Sequence, residues 1–235
     1  MKLEKIVLAF LLMLIAAYFC VIFFIPETNY AFYLKPFFIP VFCGYAILKN
    51  GFVFPKTYLL FVVLFYLGQL FMLFSDHSLL VLQLALVFYF MFYLTLISMS
   101  WSLIKNNQFI KIFTVDTIIL ILIIAFLLFV TVFIIFKSST DAIINFISIF
   151  NAISALLLLI TAVVYLSIAT SKKSILYFFG SIFLIISDVF AALNIYYFGI
   201  FELNIIEIIL HLVGFYLIYL FIIKKVKPDE ISSHI

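Results

Sequence analysis

Residues 180–194 read GSIFLIISDVFAALN, an apolar segment with one carboxyl group, that of Asp188, near its middle. Apolar residues on both sides extend the segment to 174–198, which is long enough to cross a bilayer as a helix. An ionised carboxylate is costly in hydrocarbon, and such residues usually face a functional cavity inside the protein. The segment therefore predicts a membrane span and makes Asp188 the first candidate for function. The simpler alternative, a hydrogen bond from Asp188 to a neighbouring helix, stays open.

The rest of the chain has the composition of a membrane protein. Of its 235 residues, 69% are hydrophobic and 10% are charged, and the mean hydropathy is +1.43. A soluble domain is roughly half apolar and about a quarter charged, so most of this surface must face lipid. The 13 basic residues are lysines placed between apolar runs, which argues against nucleic-acid binding. Cys20 and Cys43 fit no metal-ligand spacing, and we expect no metal and no cofactor.

Eight segments are long and apolar enough to span a membrane. We therefore predict an all-α polytopic membrane protein, in which residues 1–235 form one integral membrane domain and a single bundle of eight transmembrane helices. The predicted spans are 6–25, 31–48, 57–74, 79–100, 113–136, 143–168, 174–198 and 204–223.

The positions of the lysines predict the orientation, because basic residues concentrate in cytoplasmic loops. The N-terminus, the loops after spans 2, 4 and 6, and the C-terminal tail carry the lysines other than Lys35 and Lys137. An even number of spans with both termini in the cytoplasm explains this alternation. We expect an integral protein of a bacterial cytoplasmic membrane that contacts membrane lipids and binds no nucleic acid. The sequence leaves its oligomeric state open.

Several polar residues fall at one predicted depth. With a rise of about 1.5 Å per residue, Asp188 lies roughly 21 Å into span 7, in the outer half of the membrane. Glu207 and His211 of span 8, Gln69 of span 3 and Lys35 of span 2 fall in the same layer, and the first two share a helix face. We predict an outward-opening pocket between spans 2, 3, 7 and 8. Each side chain also has a simpler reading as a packing contact or, for Lys35, as a lysine that snorkels to the headgroups.

Four stretches of the sequence resemble a known family when they are taken in order. They are LKPFFIP (34–40), LFYLGQLFML (64–73), VFYFMFYL (87–94) and FGSIFLIISDVFAAL (179–193). Together they resemble the YhhN family of integral membrane lysoplasmalogenases. That family has about eight spans, a Lys-Pro at the start of span 2, a Gly-Asp in span 3, a His-x-x-Tyr in span 4 and a Phe-x-x-Ser-Asp element in span 7.

The match to the family is partial at the level of single residues. Lys35-Pro36, Gly68, Tyr93 and Ser187-Asp188 stand where the family has the same residues. Three other positions depart from the family, which has an aspartate, a histidine and a late glutamine there. These departures are Gln69, Phe90 and Phe215.

The resemblance implies hydrolysis of the vinyl-ether bond of a lysoplasmalogen to a fatty aldehyde and a glycerophospho-alcohol. A vinyl ether is cleaved by protonation at carbon, which needs a carboxylic acid that keeps its proton at neutral pH, as burial in low dielectric allows. Asp188 is the predicted acid, and Glu207 is the predicted second carboxylate that orients water. Lys35 is expected to bind the substrate phosphate as a point charge. The predicted substrate-binding set is Lys35, Gln69, Tyr93, Ser187 and His211.

Two other functions remain open. A catalytically inactive relative that binds lysophospholipids is favoured by the departures at Gln69 and Phe90. A small proton-coupled transporter would instead use Asp188, Glu207 and His211 as a proton relay.

Overall fold

The computed structural model describes residues 3–24, 30–50, 55–75, 78–104, 114–169 and 171–223, and all regular elements in these ranges are helical. A one-turn π-helical segment, Asn194–Phe198, continues α7 at its C-terminal end. The eight α-helices are α1 Leu3–Phe24, α2 Tyr30–Asn50, α3 Lys56–Leu73, α4 Leu79–Ile104, α5 Val115–Ser138, α6 Ala142–Ala169, α7 Lys172–Leu193 and α8 Phe201–Ile223.

Seven of these helices are long and apolar enough to cross a membrane, which makes the chain an integral membrane protein. They are α1 and α3 to α8, so the all-helical prediction is confirmed and seven of the eight predicted spans coincide with such helices. The remaining predicted span, 31–48, coincides with α2, a helix of 21 residues that contains Lys35, Pro36, Pro40 and Lys49. That α2 crosses the membrane, and that both termini face the cytoplasm, remain predictions.

Contacts between residues of the chain group it into two compact units, Met1–Phe92 and Tyr93–Ile235. In the first unit, aromatic rings connect successive helices. Tyr18 of α1 meets Phe38 of α2 edge to face at 5.5 Å, and Phe61 of α3 stacks on Phe92 of α4 at 5.0 Å. Such pairs stabilise a packed interface beyond the area that they bury.

The second unit contains the most buried helices. Ala155, Leu158, Leu159 and Ala162 of α6 are at most 2% exposed. Asp141 precedes helix α6, and its Oδ1 accepts hydrogen bonds from the backbone N–H groups of residues 143 and 144. Helix α7 begins at a capping box, in which Ser171 and Ser174 each accept a backbone N–H of the other. These caps satisfy N–H groups that the first turn of a helix leaves without a helical partner.

Helices α7 and α8 approach each other closely at a pair of glycines. A Cβ atom added to Gly214 would lie 2.9 Å from Cγ of Leu184 and 3.2 Å from the carbonyl oxygen of Gly180. A Cβ atom added to Gly180 would lie 3.3 Å from the carbonyl oxygen of Gly214. Small residues at such crossings let two helix backbones meet within a membrane. This contact sets the register of the two helices on which the candidate site is built.

Candidate functional site

The register of α7 and α8 brings Ser187 opposite Glu207. Ser187 lies seven residues after Gly180, and Glu207 lies seven residues before Gly214, which is the same distance from the glycine contact on two antiparallel helices. Seven residues make nearly two helical turns, so both residues return to the face that holds the contact. The Ser187 hydroxyl accordingly donates a hydrogen bond of 2.8 Å to the backbone carbonyl of Glu207.

Ser187 also contacts the ring of His211. The distance from its Oγ to Nδ1 of His211 is 2.9 Å. Ser187 is fully buried and His211 is 7% exposed, so this hydrogen bond is shielded from solvent. A hydroxyl group has one proton to donate and two lone pairs to accept with, so Ser187 can take part in both hydrogen bonds.

Asp188 joins the cluster from the next position of α7. Its Oδ1 lies 3.8 Å from Nε2 of His211, and its Oδ2 accepts a hydrogen bond from the hydroxyl of Tyr93 in α4. The Asp188 side chain keeps 26% of its surface accessible, compared with 9% for the His211 side chain. Asp188 is therefore the more accessible member of this pair.

Glu207 supplies a second carboxyl group on the opposite side of the imidazole ring. Its Oε1 lies 4.0 Å from Nδ1 of His211, one helical turn away along α8, and Glu207 is 4% exposed. The ring of Phe215 lies 6.0 Å from the ring of His211, centre to centre, and adds an apolar wall. The imidazole is thus held between two carboxyl groups that face different ring nitrogens.

This arrangement does not resemble a metal site. In the ranges that the structure describes, no three His, Cys, Asp or Glu side chains are placed to hold one metal ion. The reason in this cluster is geometric, because Asp188 faces Nε2 of His211 and Glu207 faces Nδ1. The two carboxyl groups therefore do not converge on one point with a shared nitrogen ligand.

The predicted site residues divide between the two units. Five of them, Tyr93, Ser187, Asp188, Glu207 and His211, lie together in the second unit. Lys35 and Gln69 belong to the first unit, where each is partly buried. Their membership in a common pocket with Asp188 stays a prediction. The same holds for the substrate contacts of Tyr93 and Ser187, whose hydroxyl groups bond Asp188, Glu207 and His211.

Sequence reasoning missed the internal hydrogen bonds of this cluster. The two glycines at 180 and 214 were the available signal, since a shared spacing of seven residues from each glycine predicts that Ser187 and Glu207 face each other. Nothing comparable in the sequence indicates that Tyr93, in a different helix, bonds Asp188.

Two other features of the second unit lie apart from these contacts. Tyr177 of α7 is fully buried and donates a hydrogen bond of 2.7 Å to the backbone carbonyl of Leu96, which ties α7 to α4. A cavity of about 590 Å³ lies between α5 and α6 and is lined by apolar side chains and Lys137. None of the predicted site residues lines this cavity.

Searches of protein-family models, curated proteins and solved structures found no match to this chain. The resemblance to the YhhN family therefore remains a hypothesis that depends on the residues quoted above.

Proposed function

We propose that this protein is a membrane hydrolase that cleaves the vinyl-ether bond of single-chain ether lipids by acid–base catalysis. The observation that carries the proposal is the pairing of the Asp188 carboxyl group, on a side chain that is 26% accessible, with a buried imidazole at 3.8 Å. An acid and a base held side by side in a site of low dielectric suit a reaction that needs a proton donor and then a proton acceptor.

The proposed reaction uses the pair in three steps. Protonated Asp188 transfers its proton to the vinyl carbon that does not bear oxygen, which leaves an oxocarbenium ion and a carboxylate. Water then attacks the oxygen-bearing carbon and gives one proton to Nε2 of His211, which forms a hemiacetal. In the collapse of the hemiacetal, the His211 imidazolium gives its proton to the departing alcohol oxygen and the hemiacetal hydroxyl gives its proton to the Asp188 carboxylate. This yields a fatty aldehyde and a glycerophospho-alcohol and restores both side chains. One water molecule is consumed.

Tyr93 and Glu207 would each assist one member of the Asp188–His211 pair. When Asp188 loses its proton, the Tyr93 hydroxyl can stabilise the negative charge through the hydrogen bond to Oδ2. When His211 gains a proton, the Glu207 carboxyl lies 4.0 Å from its Nδ1 and can stabilise the imidazolium. Each partner therefore favours the charge that the reaction creates.

The test is an assay of aldehyde release by the purified full-length protein. A lysoplasmalogen and the matching lysolipid with a saturated ether are compared, because protonation at carbon requires the double bond. We expect aldehyde from the lysoplasmalogen alone, and a loss of roughly 100-fold or more in Asp188→Asn, which removes the acid. Asp116→Asn is the matched control, since Asp116 is an exposed residue in the first turn of α5. Full turnover by Asp188→Asn would eliminate Asp188 as the acid, and lysolipid binding without turnover would favour the inactive relative.

A second candidate function is proton-coupled transport. The observation that favours it is the row of three titratable side chains, Asp188, His211 and Glu207, in which neighbouring groups lie 3.8 and 4.0 Å apart. Small movements of these side chains would bring neighbours close enough to transfer a proton. Reconstituted vesicles with an internal pH-sensitive dye separate the two functions. Substrate-driven acidification without aldehyde release would indicate transport.

A further inference from the structure

We propose that Ser187 is a positioning residue that fixes the tautomer of His211, so that the unprotonated Nε2 of the ring faces the carboxyl group of Asp188. This inference deepens the proposed function and rests on it for its catalytic consequence. The tautomer itself follows from hydrogen bonds alone and can be measured without any substrate.

The side chain of Ser187 has a single proton that it can donate. A carbonyl oxygen has no proton, so in the 2.8 Å bond between Ser187 and the Glu207 carbonyl the serine must be the donor. A hydroxyl group carries one proton, and this bond uses it. Ser187 can therefore meet Nδ1 of His211, at 2.9 Å, only as an acceptor.

The bond to Ser187 determines which ring nitrogen of His211 carries a proton. Because Ser187 accepts, Nδ1 of His211 must carry a hydrogen, and a neutral ring with its proton on Nδ1 has a bare lone pair on Nε2. The Glu207 carboxyl lies 4.0 Å from the same Nδ1, and its acceptor oxygens favour a proton on that side. The bare Nε2 faces Oδ1 of Asp188 at 3.8 Å.

The two oxygens of the Asp188 carboxyl group have different neighbours. Its Oδ2 accepts from the Tyr93 hydroxyl, so Oδ1 is the oxygen that faces His211. The pair then has two arrangements that differ only in the position of one proton. One is a carboxylic acid beside a neutral imidazole, and the other is a carboxylate beside an imidazolium. The first arrangement provides both the acid and the base that vinyl-ether cleavage needs.

Loss of the serine acceptor would remove this control. In Ser187→Ala, the hydroxyl that accepts from Nδ1 is removed, and the ring can carry the proton on Nε2 instead. An N–H group at Nε2 would point at Asp188 and could not accept a proton from water. We expect kcat to fall by about tenfold or more with KM nearly unchanged, because the wrong tautomer lacks the base.

The experiment is nitrogen NMR of the full-length protein with ¹⁵N-labelled histidine. The chain has three histidines, so His77→Gln and His234→Gln leave His211 as the only labelled histidine. At a pH where the ring is neutral, protonated and bare ring nitrogens have widely separated shifts. We expect the proton on Nδ1 in the parent protein, a shift of population toward Nε2–H in Ser187→Ala, and no change in Ser181→Ala, which removes an equally buried hydroxyl of the same helix.

The outcomes separate this inference from the proposed function. A proton on Nε2 in the parent protein, or an unchanged tautomer in Ser187→Ala, overturns the role of Ser187 even if aldehyde is released. A proton on Nδ1 together with the expected shift supports it even if no lipid is hydrolysed. If Ser187→Ala does not fold, the parent spectrum alone decides, and Ser187→Thr, which keeps the hydroxyl group, is expected to retain the parent tautomer.

Discussion

Tyr93 and Asp188 lie 95 positions apart in the chain, yet the tyrosine hydroxyl donates a hydrogen bond to the aspartate. Tyr93 is 3% exposed, so its hydroxyl is largely shielded from water. A hydrogen bond to a charged group is stronger than one between neutral groups. The tyrosine is therefore expected to contribute most when Asp188 becomes a carboxylate.

Replacing Tyr93 by phenylalanine tests this contribution. We expect Tyr93→Phe to lower kcat for aldehyde release by roughly tenfold, because about 1.5 kcal/mol of stabilisation of the carboxylate is lost. The measurement is steady-state turnover of lysoplasmalogen by each purified variant. Tyr216→Phe is the matched control, since Tyr216 of α8 is 42% exposed. Equal losses in the two variants would contradict a specific role for the Tyr93 hydroxyl.

At the scale of elements, the pair α7 and α8 carries four of the five clustered residues, and its register depends on the contact between Gly180 and Gly214. The glycines keep the backbones near enough for the Ser187 hydroxyl to reach a main-chain carbonyl of α8 at 2.8 Å. A wider separation would stretch that bond first. The chemistry of the site is thus tied to the packing of two helices at a point two turns away.

Gly214→Ala tests this dependence. The new methyl group would meet Cγ of Leu184 at 2.9 Å and the Gly180 carbonyl oxygen at 3.2 Å, so the helices must separate. We expect the free energy of unfolding to fall by about 1–3 kcal/mol, as in other overpacked interiors, and the melting temperature in detergent reports it. Gly44→Ala is the control, because a Cβ atom there meets nothing nearer than Val7 at 4.0 Å. A melting temperature for Gly214→Ala equal to that of the control would show that the contact is not tight.

The sequence predicted the helices well and the contacts among their side chains poorly. The predicted spans 113–136 and 174–198 differ from α5 and from α7 with its π-helical turn by at most two residues at each end, because the length of an apolar run follows the bilayer thickness. The clustering of Asp188 with His211 and Glu207 also followed from depth and helical spacing. The bond from Tyr93 could not be predicted, since it depends on the packing of α4 against α7, which no local pattern encodes.

At the scale of the whole molecule, the open question is the number of crossings. Within the part of the chain that the structure describes, seven helices qualify by length and composition, and α2 decides whether the total is odd or even. An odd number places the two chain ends on opposite faces of the membrane, and an even number places them on the same face. The lysine distribution predicts an even number, because it requires α2 to cross.

Cysteine labelling of the two ends tests this prediction. Cys20 and Cys43 are the native cysteines, so their replacement by alanine gives a background for single cysteines at Lys2 and Ser233. We expect both positions to resist a membrane-impermeant maleimide in intact cells and to react after the cells are opened. Labelling of one end alone in intact cells would mean that α2 does not cross.

The spacing around the two glycines amounts to a signature that can be carried beyond this chain. It reads Gly, six residues, Ser-Asp in one helix and Glu, three residues, His, two residues, Gly in the next, with the length of the connecting loop left free. We expect a helical hairpin with this pattern to place a serine against a main-chain carbonyl and an imidazole beside an acid. An ancestral or designed scaffold of quite different length could therefore acquire the same proton-handling pair through six residues.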